Sequence, residues 1–125
     1  MLPQMSPLAD KHKGCFTGTD PGKIIERLKQ NAGSDEELAL VVKRIAGRCP
    51  TSHWANLKAL DDARANSEIG AVLSGDLALA RHMAPRGDFV EGIRAVLIDK
   101  DQQPKWKPDD IAGVDVDKIS AVLAK

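Results

Sequence analysis

An all-α fold of five or six short helices is what this sequence predicts, and three observations predict it. Apolar residues recur at the three- and four-residue spacing of an amphipathic helix in segment after segment. Two of those segments open with the spacing of a reciprocal capping box, Ser34 with Glu37 and Asp88 with Glu91. The most strand-like stretch, "IRAVLI" at 93–98, alternates Ile93, Ala95 and Leu97, but the cap signal just before it favours a helix.

Residues 1–19 carry Pro3, Pro7, Gly14 and Gly18 among polar residues and read as a lead-in segment with one short helix around 8–13. Regular structure begins at "TDPGKIIERLKQ". Thr19 or Asp20 can cap the first free amides, Pro21 suits the first turn, and Ile24, Ile25 and Leu28 share a face. This helix is expected to end near 31–33. In "SDEELALVVKRIAGR", Ser34 and Glu37 box the start while Asp35 and Glu36 favour the positive end of the helix dipole. Lys43, Arg44 and Arg48 favour the negative end. Leu38, Val41, Val42 and Ile45 form its apolar stripe, each worth about 1.5–3 kcal/mol if fully buried.

A third helix starts at Pro50 or Thr51 and presents Trp54, Leu57 and Leu60 on one face. The next, "SEIGAVLSGDLALARHMA", carries Ile69, Val72, Leu73, Leu77 and Met83. Gly70 and Gly75 interrupt it at about 1 kcal/mol each against alanine, so a bend or break is expected at Gly75. A helix capped by Asp88 and Glu91 should turn Phe89, Ile93 and Val96 inward, with Leu97 at the same helical spacing, and Gly92 within it marks a close helix approach. Pro104 and Pro108 then keep "DQQPKWKP" extended or turned. "DVDKISAVLAK" adds a last amphipathic piece with Val116, Ile119, Val122 and Leu123.

Composition narrows function. Eighteen basic residues balance eighteen acidic ones, so no net field draws in nucleic acid or an anionic membrane, and neither is expected as a direct partner. No apolar run approaches the ~20 residues that span a bilayer. No secretory or transit signal is legible at the start. Cys15 and Cys49 lie far apart without a metal-ligand spacing and read as free thiols. With 3% aromatics and no tyrosine, a base-stacking surface is not expected.

The side chains offer little catalytic equipment. Ser52 and His53 near Cys49 suggest a nucleophile and base, but adjacent helical residues point about 100° apart and cannot face each other. His12, His53 and His82 are scattered singly, and no glycine motif cradles a phosphate, so neither metal nor cofactor is expected. Lys100, Lys105 and Lys107 around Trp106 could grip a phosphate. The plainer reading, which we favour, is that Trp106 pins an extended tail on the preceding helices while the lysines stay in solvent.

The stretch "GDFVEGIRAVLIDKDQQPKWKP", from Gly87, closely resembles the C-terminal signature of the 3-hydroxyisobutyryl-CoA hydrolases, a branch of the crotonase (enoyl-CoA hydratase/isomerase) superfamily. Asp88, Phe89, Glu91, Gly92, Arg94, Ala95, Asp99, Lys100, Asp101, Pro104 and Trp106 carry the resemblance. "CF" at Cys15, "KIIERL" from Lys23 and "CPTSHWANLKAL" from Cys49 extend it over roughly residues 8–110, with a weak match around Gly75 and Asp76.

The resemblance implies that 20–110 is the C-terminal helical region of such a protein, flanked by the lead-in at 1–19 and a short helical tail at 111–125. It implies the chemistry of acyl-CoA thioester hydrolysis in valine breakdown. That chemistry uses an oxyanion hole and carboxylates on a β/α core that precedes this region, so no residue here matches a catalytic position. Lys100 aligns, through a one-residue gap, with a lysine that touches the coenzyme in some crotonases. The expected role is therefore a non-catalytic part of the hydrolase: a split subunit, fragment or truncated product. The expected partners are the crotonase core and, through it, a coenzyme A thioester, with self-association when the chain is alone. The location implied is mitochondrial in a eukaryote and cytoplasmic otherwise. The competing reading is a non-enzymatic crotonase-like structural subunit, for example of a mitochondrial ribosome small subunit.

Overall fold

The computed structural model describes residues 6–124 and divides the chain into two compact units, 1–48 and 49–125. Pro3, part of the expected lead-in, lies outside the described residues. Among the described residues the fold is all-α, with no strand.

The first unit holds α1 (Pro7–Lys11), α2 (Pro21–Asn31) and α3 (Glu36–Ala46), with 3-10 turns at Lys13–Phe16 and Ala32–Ser34. Of the two candidates Thr19 and Asp20, Asp20 caps α2 by accepting from the amides of Gly22 and Lys23, with Pro21 in the first turn as expected. The cap of α3 differs from the expectation. Asp35, not Ser34, accepts from the amides of Glu37 and Leu38, because Ser34 is used up in the 3-10 turn that closes α2.

Asp35 also ties α1 to α3. Lys11 Nζ lies 2.7 Å and His12 Nε2 2.9 Å from its Oδ2. Lys11 first, then His12 and the Leu38 amide, hold this carboxyl well below the usual carboxylate range. Cys15, Leu28 and Leu38 are buried at the centre, with Ile24, Val42 and Ile45 packed around them.

The second unit is built on α4 (Pro50–Ala65), α5 (Ile69–Met83) and α7 (Val116–Leu123), which pack on one another. Ala55, Leu79, Val114 and Ile119 are its buried centre, with Trp54, Met83, Val122 and Leu123 around them. The indole Nε1 of Trp54 donates to the carbonyl of Ile111 at 3.1 Å and anchors the segment leading into α7.

The break expected at Gly75 does not occur: α5 is one helix from Ile69 to Met83. Gly75 instead faces the other helices, where a Cβ would stand 3.2 Å from Asp62 Oδ2 and 3.4 Å from Leu123 Cδ2. The buried or half-buried stripe of α5 is therefore Val72, Gly75, Leu79 and Met83, while Ile69, Leu73 and Leu77 are exposed. Leu60 of α4, expected on a buried face, is exposed as well.

Candidate functional site

The signature stretch folds as α6 (Gly87–Ile93), one wide π-helical turn (Arg94–Ile98) and a returning strap over 99–108. The amide of Asp99 donates to the carbonyl of Arg94, five residues back, at 2.8 Å, which widens the last turn. Lys100 and Gln102 then take left-handed backbone angles, φ 55° and 57°, and reverse the chain. Such angles cost a non-glycine residue about 1–2 kcal/mol each, so something must hold them. Part of the hold is local: the amide of Gln102 donates to the carbonyl of Ala95 at 3.0 Å.

Carboxylates supply the rest. On the strap, the amides of Gln103, Lys105 and Lys107 alternate, as an extended chain requires, and each meets an acid. Gln103 donates to Asp101 Oδ1 (2.9 Å), Lys105 to Glu91 Oε1 (2.8 Å) and Lys107 to Asp88 Oδ1 (2.8 Å). Arg94 sits at the centre. It donates to both oxygens of Glu91 (2.7 and 2.9 Å), to Asp99 Oδ2 (2.7 Å), to Asp101 Oδ2 (2.8 Å) and to the carbonyl of Gln103 (3.3 Å).

The charges stabilise one another. Arg94 first, and the Lys105 amide second, push the Glu91 carboxyl down to about 2. Arg94 and the Gln103 amide lower Asp101 in the same sense. Glu91, then Asp101 and Asp99, raise the affinity of Arg94 for its proton.

Asp88 and Glu91 do not form the capping box expected of them. No side chain caps α6, whose flanking residue is Arg86, and both acids are turned to the strap instead. Asp88 is buried; its Oδ2 accepts from the Cys49 thiol at 3.5 Å and lies 3.9 Å from Arg86 Nη2. Arg86 also reaches Thr51 Oγ1 (3.4 Å) and the carbonyl of Lys107 (3.3 Å), while its buried Nε finds no acceptor.

Trp106 lies across Gly92, where a Cβ would be 3.3 Å from the ring. The close approach expected at Gly92 is therefore not to another helix but to the strap's tryptophan. Lys105 and Lys107 are exposed, in keeping with a tryptophan-pinned tail. Lys100 is exposed at the reversal of the chain.

Turning Asp88, Gly92 and Ala95 to the strap forces the large apolar residues of the same helix outward. Phe89 and Val96, expected to face inward, are exposed, as are Val90, Leu97 and Ile98. Beside them opens a groove of about 410 Å³, almost wholly apolar, lined by Cys49, Met83, Phe89, Ile93, Leu97 and Trp106.

The acids of this arrangement are engaged with one cation, the strap and a thiol. Glu91, Asp99 and Asp101 are bound to Arg94, and Asp88 holds an amide and a thiol. The thiol of Cys49, with Ser52 in the groove wall, is bonded to Asp88. Among the described residues no group of three or more His, Cys, Asp or Glu is placed to hold a metal ion. The sequence reading missed the Cys49–Asp88 bond and the joining of Lys11 and His12 to Asp35. Partners 39, 24 and 23 residues apart leave no local pattern.

Comparison with known proteins bears on the same residues. Residues 3–123 match the family model described as enoyl-CoA hydratase/isomerase. The human mitochondrial 3-hydroxyisobutyryl-CoA hydrolase is 38% identical over 107 residues, 84% of this chain and 26% of that protein. The Xenopus laevis protein of the same name is 34% identical over 112 residues, 90% of this chain and 28% of the relative. In Arabidopsis thaliana, 3-hydroxyisobutyryl-CoA hydrolase-like protein 5 is 30% identical over 114 residues, 87% and 29%. The chain thus spans about a quarter of the length of the curated relatives it matches. A helical signature held by Arg94, together with a family match over nearly all its length, places this chain in the enoyl-CoA hydratase/isomerase family, with 3-hydroxyisobutyryl-CoA hydrolases among its relatives.

Proposed function

We propose that this chain is the C-terminal helical part of a 3-hydroxyisobutyryl-CoA hydrolase, working with a crotonase core that carries the thioester chemistry. The observation that carries this reading is the use made of the signature acids: Asp88, Glu91, Asp99 and Asp101 are all engaged in holding a strap. Thioester hydrolysis needs donors preorganised around a developing oxyanion and a carboxylate placed to activate water. An acid already bonded to arginine at 2.7 Å is a poor base, because its charge is spent on the ion pair.

The role left to the chain is positional. In that role Lys100, exposed at the left-handed turn, is the residue offered to the coenzyme's phosphates, a point charge at the end of a flexible stem. The relatives' names place them in mitochondria, and a eukaryotic version of this chain would work there.

Thiol release from 3-hydroxyisobutyryl-CoA tests the proposal. The 125-residue chain alone should match buffer, and the chain joined to the core of the human relative should turn over substrate. Lys100→Ala in the joined protein should raise KM for the thioester and leave kcat in place. Steady turnover by the chain alone, abolished by changing one of its own acids, would sink the reading.

A further inference from the structure

We infer that Arg86, together with Lys105 and Lys107 of the strap, forms a binding site for a phosphate group. Lys100 is not in its wall. The inference goes beyond the function proposed above and stands whether or not the chain serves a hydrolase.

Arg86 is a cation whose bonding within the protein is incomplete. It donates only through Nη2, to Thr51 Oγ1 at 3.4 Å and to the carbonyl of Lys107 at 3.3 Å, both long, and it stands 3.9 Å from Asp88 Oδ2. Its buried Nε has no acceptor, and Nη1 makes no bond among the described residues. Arg94, by contrast, has its fork filled by three carboxylates and a carbonyl. A guanidinium with donors unanswered is what an oxyanion completes, because its planar fork matches two oxygens of a phosphate.

The surroundings select the charge of the ligand. Arg86, its side chain 29% exposed, lines a cavity of about 460 Å³ whose walls include Lys105 and Lys107. These lysines lie two apart on an extended strap and so share a side, while Trp106 between them turns to Gly92. Neither ammonium is bonded to an acid among the described residues. Two acids share the wall. Glu91 is neutralised by Arg94 at 2.7 Å, and Asp88 spends Oδ1 on the Lys107 amide and Oδ2 on the Cys49 thiol. That leaves Asp88 as the one unneutralised acid of the wall against three cations, a balance that favours an anion over a metal ion. A phosphate monoester carries about −1.5 to −2 charges at pH 7 and three acceptor oxygens, so it can answer three separate cations where a carboxylate cannot. Inorganic phosphate and the terminal phosphate of a small ester share this chemistry.

The test titrates the 125-residue chain with sodium phosphate at about pH 7.5, against sodium chloride of matched ionic strength, and follows the amide chemical shifts. Phosphate should move the Lys105 and Lys107 amides along saturating curves, and chloride should not. Lys105→Gln combined with Lys107→Gln changes two exposed side chains, leaves the fold in place and should weaken binding by about tenfold or more. Arg86→Lys keeps the charge but not the fork and should weaken it by a smaller factor. Lys118→Gln, on α7, should leave it unchanged. Tighter binding of phenyl phosphate than of inorganic phosphate upholds the site and names an ester as its occupant; equal or weaker binding upholds it and names the free ion. Curves that do not saturate, equal shifts with chloride, affinity untouched by the lysine pair, or equal weakening by Lys118→Gln each overturn the inference. The chain alone carries the site, so none of these results depends on thiol release.

Discussion

Arg94 decides the conformation of the ten residues that follow it. Its donors are shared among three carboxylates and a carbonyl, and two of those carboxylates, Glu91 and Asp101, receive the amides of Lys105 and Gln103, so removing it frees acids and strap together. Arg94→Ala should increase hydrogen exchange at the Gln103 and Lys105 amides, and Arg94→Lys should rescue it only in part, because an ammonium cannot reproduce the planar fork. The pH dependence has a fixed sign. The Glu91 carboxyl is depressed from 4.5 to about 2, so its contribution to stability is present above about pH 4.5 and is lost as pH falls toward 2. Asp101, also depressed by Arg94 and the Gln103 amide, acts in the same direction, its contribution being present above its ordinary value of 3.8 and lost in acid. Unfolding midpoints between pH 6 and 2 should therefore fall, and Glu91→Gln should flatten the upper part of that fall. Asp88 is the buried member of the set. Asp88→Ala strands the Lys107 amide and the Cys49 thiol and should lower stability by about 1–3 kcal/mol in urea unfolding, whereas Asp88→Asn keeps an acceptor and should cost less.

Individual helices turned according to where small residues were needed. The structure divides the apolar residues of α5 between two stripes, one through Ile69, Leu73 and Leu77 and one through Val72, Gly75, Leu79 and Met83. Hydrophobicity favours the first, yet the second is turned to the core because α7 and the Asp62 side chain come too close for any Cβ at position 75 to fit without movement. Gly75→Val should force these helices apart and cost about 1–3 kcal/mol by overpacking. Leu73→Ser, at a position 60% exposed, should fall within about 0.5 kcal/mol of the parent. Equal effects of the two substitutions would show that α5 is turned the other way. The same logic explains α6, where Gly92 and Ala95 admit the strap and the larger residues are left outside. Helix existence and approximate limits were legible from capping and periodicity. The buried face was not, because periodicity identifies a stripe without saying which neighbour demands the closest approach.

At the scale of the molecule, two units each close a small core, and a large part of the apolar surface is left unburied, on α5 as well as on α6. The isolated chain should therefore bind a hydrophobic dye and associate with rising concentration; a dye-silent monomer in sedimentation would contradict this account of its surface. The sequence by itself determined the all-α class, a start of α2 at Thr19 or Asp20 and, through eleven residues between Asp88 and Trp106, the family, and it favoured a tail pinned by Trp106. Those properties reside in local spacing or in residue identity, which survive in one dimension. Only the tertiary structure decided that Asp88 and Glu91 serve the strap rather than the helix end, that Asp35 rather than Ser34 caps α3, and that Phe89, Val96 and Leu97 face outward. In each case a capping acid or an apolar side chain had two physically acceptable partners. Glu91 and Asp88 turn to the amides of Lys105 and Lys107, 14 and 19 residues away, because a carboxylate gains more from an otherwise unpaired amide than from a helix end that water can satisfy, while Asp35 does both, capping α3 with Oδ1 and meeting Lys11, 24 residues away, with Oδ2.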